Sequence, residues 1–310
     1  MRVLVDFHQT PSGRNGNVVT NNYSLHDYQN DVAELAKNLK VKNLDNVLGI
    51  DVFNEPHNLF WFSENGDQPA WVDVIAAAAS AVYQNNPDLL LFVEGPSSEE
   101  AGPAICIPHG QIPEDISAYS IDRNACGNGL DAIHFKSNWG ENFRALLDAD
   151  AAKNSEFKLG GELRSQLLKR LPVEMVNWLL GQPDDSSHNG SHLVFSPHIY
   201  GSHVATWQSS PEASPYRFNW NFGFLQDSNY SVVIGETGYL TDQVLDVSFF
   251  KDSISPYLIK KNMNHQLFYW TFNSNSGDTG GIRENANTAA LVVDKERALH
   301  DLFYYKQSSN

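Results

Sequence analysis

Basic residues are scarce: 21 Lys and Arg stand against 37 Asp and Glu, leaving a net charge of −16. With no Lys/Arg run and no basic face interleaved with aromatics, a nucleic-acid partner is excluded. No apolar run approaches the roughly 18 residues of a membrane span, so no membrane partner is expected. Cysteine is nearly absent, and Cys106 and Cys126 have neither CxxC nor metal-ligand spacing. They lie in one loop-like region, where a short disulfide and two free thiols both stay open. Repeats, low-complexity segments and linkers are also lacking. A chain of 310 residues is then expected to be one domain, 1–310, the size of a single α/β barrel. Aromatics are plentiful at 12 %, and acidity combined with aromatics suits a soluble protein with a neutral or weakly charged ligand.

No signal peptide is expected, since the run RVLVDFH follows Met1 directly. Three sequons, at Asn22, Asn189 and Asn229, fit a secreted protein, and the expected location is extracellular.

Apolar runs without clean alternation recur, as expected of parallel strands buried on both faces. They are Arg2–His8, VLGIDVF (47–53), NPDLLLFVEG (86–95), His192–Tyr200, Ser231–Gly238 and Asn264–Phe272. Helical spacing predicts helices over Asp27–Leu39 and Trp71–Gln84, and an amphipathic helix around Leu163–Leu180. Strands alternating with helices imply parallel βα units. The span between the third and fourth strands, about 97–191, is too long for one crossover and reads as an insertion that builds a binding face.

Polar residues cluster where these strands stop. His8 closes the first, Asn54 and Glu55 the second, His198 and Tyr200 the fourth, Glu236 the fifth and Trp270 the sixth. In a parallel barrel all C-terminal strand ends open on one face, so these side chains converge. Pro56 cannot lie inside a central strand and so places Glu55 at a strand terminus. Two carboxylates about 5–5.5 Å apart are what retaining glycoside hydrolysis needs. Glu55 must keep its proton, which calls for apolar surroundings or a nearby negative charge. Glu236 must be ionised, with donors such as the Tyr200 hydroxyl. Asn54 suits a sugar hydroxyl, and Trp270 offers a flat face to a pyranose ring. Taken singly, each has a duller role, and Glu94 in VEGP is read as structural. A metal site from Asp6, His8, His198 and Glu236 lacks any HxH or HExxH spacing, so no metal and no cofactor is expected.

With these residues in hand, the chain resembles glycoside hydrolase family 5 of clan A, in particular its endo-β-1,4-glucanases (cellulases). VLVDFH resembles the family's third barrel strand, VLGIDVFNEPHN the fourth and NPDLLLFVEG the fifth. LVFSPHIYG resembles the sixth, VVIGETG the seventh and FYWTFNSNSGDTGGI the eighth. The resemblance implies an α/β TIM (β/α)8-type barrel, N-terminally truncated to about six βα units. The first two strands have no counterpart, nor does the arginine that the family carries at the end of the second. It implies Glu55 as acid/base and Glu236 as nucleophile. His8, Asn54, His198, Tyr200 and Trp270 are then supporting residues, and Trp139 with Asn142, in SNWGENF, are contacts from the long loop. The implied substrate is a β-glucan polysaccharide or oligosaccharide. Alternatives are a β-mannanase or xylanase of the same fold, or a catalytically impaired carbohydrate-binding remnant. Either the chain is a fragment of a longer product, or a six-stranded remnant is expected to leave open edges at Arg2–His8 and Asn264–Phe272, with self-association through an exposed edge.

Overall fold

The computed structural model describes residues 2–305 apart from 12–15, 17, 58, 63–68, 97–104, 109–119, 123–125, 128, 135–136, 155, 185–186, 189, 206–210, 212–213, 286 and 289. Asn189, the second sequon, lies outside the described residues. In chain order the strands are β1 (Val3–Asp6), β2 (Val47–Asp51), β3 (Leu90–Val93), β4 (Ile105–Pro108), β5 (Ser120–Asp122) and β6 (Leu130–His134). They continue with β7 (Leu193–Phe195), β8 (His198–Tyr200), β9 (Ser231–Val232), β10 (Ile234–Gly238) and β11 (Leu267–Tyr269). The chain forms two compact units. The first comprises Met1–Ala104, Trp139–Pro197 and Trp220–Val232; the second comprises Ile105–Asn138, His198–Asn219 and Val233–Asn310.

The first unit is built on a parallel sheet of order β1-β2-β3-β7-β9, with β1 at one edge. Its strands are short apolar runs whose inner residues, such as Ile50, Leu91, Val93 and Phe195, are fully buried. The helix Leu25–Val41 starts at a capping box: Ser24 Oγ accepts the Asp27 amide, and Asp27 Oδ2 accepts the Ser24 amide. It buries Tyr28, Val32, Ala36 and Leu39, the one-sided stripe of a surface helix. The helix Trp71–Asn85 is alanine-rich and buried almost all round, and it packs against the first helix. Small side chains allow that close approach.

Around Leu163–Leu180 there are two helices rather than one, Glu162–Leu168 and Val173–Leu180. Pro172 lies between them; it has no amide to donate and starts the second helix instead. The run His192–Tyr200 is likewise two strands, β7 and β8, separated at Ser196-Pro197 and paired in different sheets. Ser231–Gly238 divides in the same way into β9 and β10, with the break at Val233.

The second unit holds a parallel sheet in which β10 is flanked by β8 and β11. Its apolar core is aromatic: Phe218, Phe249, Phe250, Tyr239 and Tyr257 are buried, with Phe218 edge-on to Tyr257 at 5.0 Å. The long span, expected to be loop-like around its cysteines, instead contains an antiparallel sheet of order β4-β6-β5. Cys106 and Cys126 are joined by a disulfide, which settles the question the sequence left open. Among the described residues no helix is long and apolar enough to cross a membrane.

Candidate active site

In the first unit the register aligns the strand ends. Asp6 pairs with Asp51, and Asp51 with Phe92, so β1 and β2 stop level and β3 runs one residue further. The ladder runs on irregularly: the Val52 amide donates to Phe92 O at 2.9 Å and the Asn54 amide to Phe7 O at 3.0 Å. The buried Tyr28 hydroxyl donates to Val52 O at 2.5 Å, and burial holds its pKa well above the ordinary phenol value. At Glu55 the ladder ends. Its amide turns to a side chain and donates to Glu94 Oε2 at 2.9 Å. Glu55 has φ +44°, a left-handed conformation uncommon in a residue with a Cβ. Asn54 is buried, Glu55 half-buried, and Glu94 wholly buried. His8 sits at the partly exposed end of β1, with Nδ1 2.7 Å from Asp6 Oδ2.

The loop carrying Trp139 docks on the end of β3. Gly95 donates its amide to Gly140 O at 3.0 Å, and Trp61 Nε1 donates to Asn142 O at 2.7 Å. Trp139 is 49 % exposed and stacks on His57, with ring centroids 4.3 Å apart and planes within 16°. Asn142, expected as a substrate contact, is fully buried. Its side-chain oxygen accepts the Arg144 amide at 3.2 Å and Arg144 Nε at 2.9 Å, an arrangement that braces the loop from within.

In the second unit the register of β10 on β8 sets Glu236 opposite His198 and Gly238 opposite Tyr200. The Tyr200 hydroxyl donates to Glu236 Oε2 at 2.7 Å, and His198 Nδ1 lies 3.6 Å from the same oxygen. Trp270 follows β11 directly. Its amide donates to Thr237 O at 2.8 Å, and its carbonyl accepts Thr279 Oγ1 at 2.6 Å. Gly238 is required here, because a Cβ would stand 2.2 Å from Trp270 O. Lys295, only 2 % exposed, donates to Thr279 O and, at 2.6 Å, to Gly281 O. The run NSGDTGGI is thereby tied down behind Trp270.

A sequence model of the cellulase family, glycosyl hydrolase family 5, matches residues 1–276. The chain belongs to glycosyl hydrolase family 5. Among curated relatives, an endoglucanase of Paenibacillus polymyxa is 24 % identical over 293 residues, covering 91 % of this chain and 56 % of that protein. The major extracellular endoglucanase of Xanthomonas campestris pv. campestris is 25 % identical over 312 residues, covering 98 % of this chain and 50 % of that one. The chain thus spans about half the length of these curated relatives. Among solved structures, the catalytic domain of the major Xanthomonas campestris endoglucanase superposes with TM-score 0.64 at 22 % identity, covering 98 % of this chain and 70 % of that one. An endocellulase of Pyrococcus horikoshii in complex with cellotetraose gives TM-score 0.62 at 23 % identity, with the same two coverages. The fold is the α/β TIM-barrel type of family 5.

Set beside this family 5 fold, the structure brings together His198, Tyr200 and Glu236, with Trp270 bonded to the residue after Glu236. In the first unit it brings together Asn54 and Glu55, and through His57 it links Glu55 to Trp139. Sequence reasoning passed over His57, Thr279 and Lys295 and assigned Glu94 no part. Glu94 carries the same signal as Glu55, a carboxylate just past an apolar strand, and that signal was available.

Proposed function

We propose that this chain is an endo-acting, retaining glycoside hydrolase that cleaves internal β-1,4 bonds of cellulose or a related β-glucan. The observation that carries the reading is the hydrogen bond from Tyr200 to Glu236, in a chain whose family membership covers both carboxylate motifs. A hydroxyl donor favours the ionised carboxylate that the attack requires. Glu236 attacks the anomeric carbon to form a covalent glycosyl-enzyme. Glu55 gives its proton to the departing oxygen, then takes one from the water that releases the sugar. Asn54 binds a sugar hydroxyl beside the reacting carbon, and Trp270 stacks under a ring. Trp139, half exposed and flat against His57, offers a second flat face to a sugar ring. His8 completes the polar set.

Secretion belongs to the same reading. A disulfide persists in oxidising compartments, and one similar protein is described as extracellular.

The test is hydrolysis of carboxymethylcellulose, mannan and xylan by the wild type, Glu55→Ala and Glu236→Ala. The expected result is a rapid fall in viscosity of the cellulose derivative with retained anomeric configuration, lost in both variants. Preference for mannan or xylan would reassign the substrate, and inversion of configuration would overturn the mechanism.

A further inference from the structure

The backbone of Glu55 is gripped on both sides of its Cα. Its N–H donates to Glu94 Oε2 at 2.9 Å, and its C=O lies 2.9 Å from His57 Nδ1. A carbonyl only accepts, so the His57 proton at that contact sits on Nδ1. Glu55 precedes Pro56, a position that favours extended backbone, yet it takes φ +44°. Backbone in this region persists only where its surroundings over-determine it. Here they form a closed circuit. Glu94 holds the amide, and Gly95 bonds Gly140, next to Trp139. Trp139 then stacks on His57, and His57 returns to the Glu55 carbonyl.

The circuit is fixed from behind. Glu94 is 0 % exposed, and its carbonyl accepts Trp71 Nε1 at 2.8 Å from the buried start of the alanine-rich helix. Gly16 donates no side chain to the site but admits His57: a Cβ there would stand 1.7 Å from the imidazole, and the His57 amide donates to Gly16 O at 3.1 Å.

We infer that Glu94 and His57 are positioning residues for proton delivery by Glu55. They hold its peptide in the left-handed conformation that sets where its carboxyl group points. This rests on the acid/base role proposed for Glu55. Neither residue touches substrate in this scheme. Each acts through the backbone of the residue that gives the proton.

The distinguishing feature is leaving-group dependence. A dinitrophenolate departs without help from an acid, whereas a sugar hydroxyl does not. Misplacing an acid by an ångström costs up to about a hundredfold, and only when its proton is needed. The experiment compares kcat/KM for cello-oligosaccharide and for dinitrophenyl cellobioside in Glu94→Ala, Glu94→Gln and His57→Ala, with Glu55→Ala as reference. The expected result is a roughly 10- to 100-fold loss on the oligosaccharide and less than about threefold on the aryl glycoside. Glu94→Gln keeps the shape of the side chain and carries the test if Glu94→Ala does not fold. Equal losses on both substrates, or none, across the three variants would overturn the inference. A wild type inactive on both substrates, or a Glu55→Ala that loses both equally, would instead overturn the acid/base reading beneath it.

Discussion

Replacing Lys295 by Met perturbs one buried charge whose consequences can be worked from the structure. Its ammonium lies among the Thr279 and Gly281 carbonyls, 5.8 Å from the centre of the Tyr239 ring. Burial pulls its pKa down from 10.5 to about 8, with the neighbouring Asp294 carboxylate opposing the shift. The folded pKa is therefore below the unfolded one. Between about pH 8 and about pH 10.5 the unfolded chain holds a proton that the folded chain has released, so stability rises with pH across that window. A tenfold change in proton affinity is worth about 1.4 kcal/mol, so the whole window corresponds to about 3 kcal/mol. Two other groups limit where this is visible. Burial raises the pKa of both Tyr239 and Tyr269 above the usual phenol range. Above about pH 10 the unfolded tyrosines ionise first, and stability falls again.

The useful interval is about pH 8 to 10, and the useful quantity is the difference between wild type and Lys295→Met. After losing its proton the amine still carries two N–H groups, so both carbonyls stay bonded in the wild type. In the variant they lose their donor at every pH, at a cost of about 1–3 kcal/mol each, partly offset near pH 7 by relief of the buried charge. Urea unfolding from about pH 7 to about pH 10 should show the wild type gaining about 2–3 kcal/mol on the variant. A pH-independent difference would refute the reasoning. Because Thr279 also bonds the Trp270 carbonyl, the variant should bind cello-oligosaccharide more weakly, through KM more than kcat.

Two further outcomes follow from single contacts. Tyr200→Phe removes the hydroxyl donor at Glu236 without changing volume, and a hydrogen bond to a charged group is worth about 1.5–3 kcal/mol. Turnover of an aryl cellobioside should fall roughly 10- to 100-fold while the melting temperature holds; an unchanged rate would remove Tyr200 from the nucleophile's support. Reducing the Cys106–Cys126 disulfide, which closes a loop of 20 positions, should destabilise the antiparallel β4-β6-β5 sheet by about 3 kcal/mol. Hydrogen exchange in that sheet is the measurement, and unchanged protection would count against a stabilising role.

How much of this was readable from the sequence depended on whether the information was local. The helices at Leu25 and Trp71 were legible because runs of apolar residues at helical spacing carry their own instruction. The splits of the fourth and fifth runs were not. Pro197 gave a local warning that went unused, but Val233 is an ordinary strand residue. Its break exists because β9 pairs with β7 while β10 pairs with β8 and β11. Strand partnership is a tertiary fact. The antiparallel sheet of the long insertion was hidden for the same reason, since strands of three to five residues show too little period to separate from loop.

The same division runs through the site. Glu236, His198 and Tyr200 could be named because each is a polar residue at the end of an apolar run, and strand register then sets their spacing. Glu55 and Glu94 carry that signal equally, each a Glu just past a strand. They differ in what surrounds them. Glu94 is 0 % exposed, so its carboxylate can serve a backbone amide but has no exposed surface to offer a sugar. Glu55 follows one irregular step beyond the ladder, in a backbone conformation that Glu94 itself helps to hold. In the proposed scheme one carboxylate presents a proton and the other positions its presenter, yet both are the same residue type in the same local pattern. Only the path of the chain around them assigns the two roles.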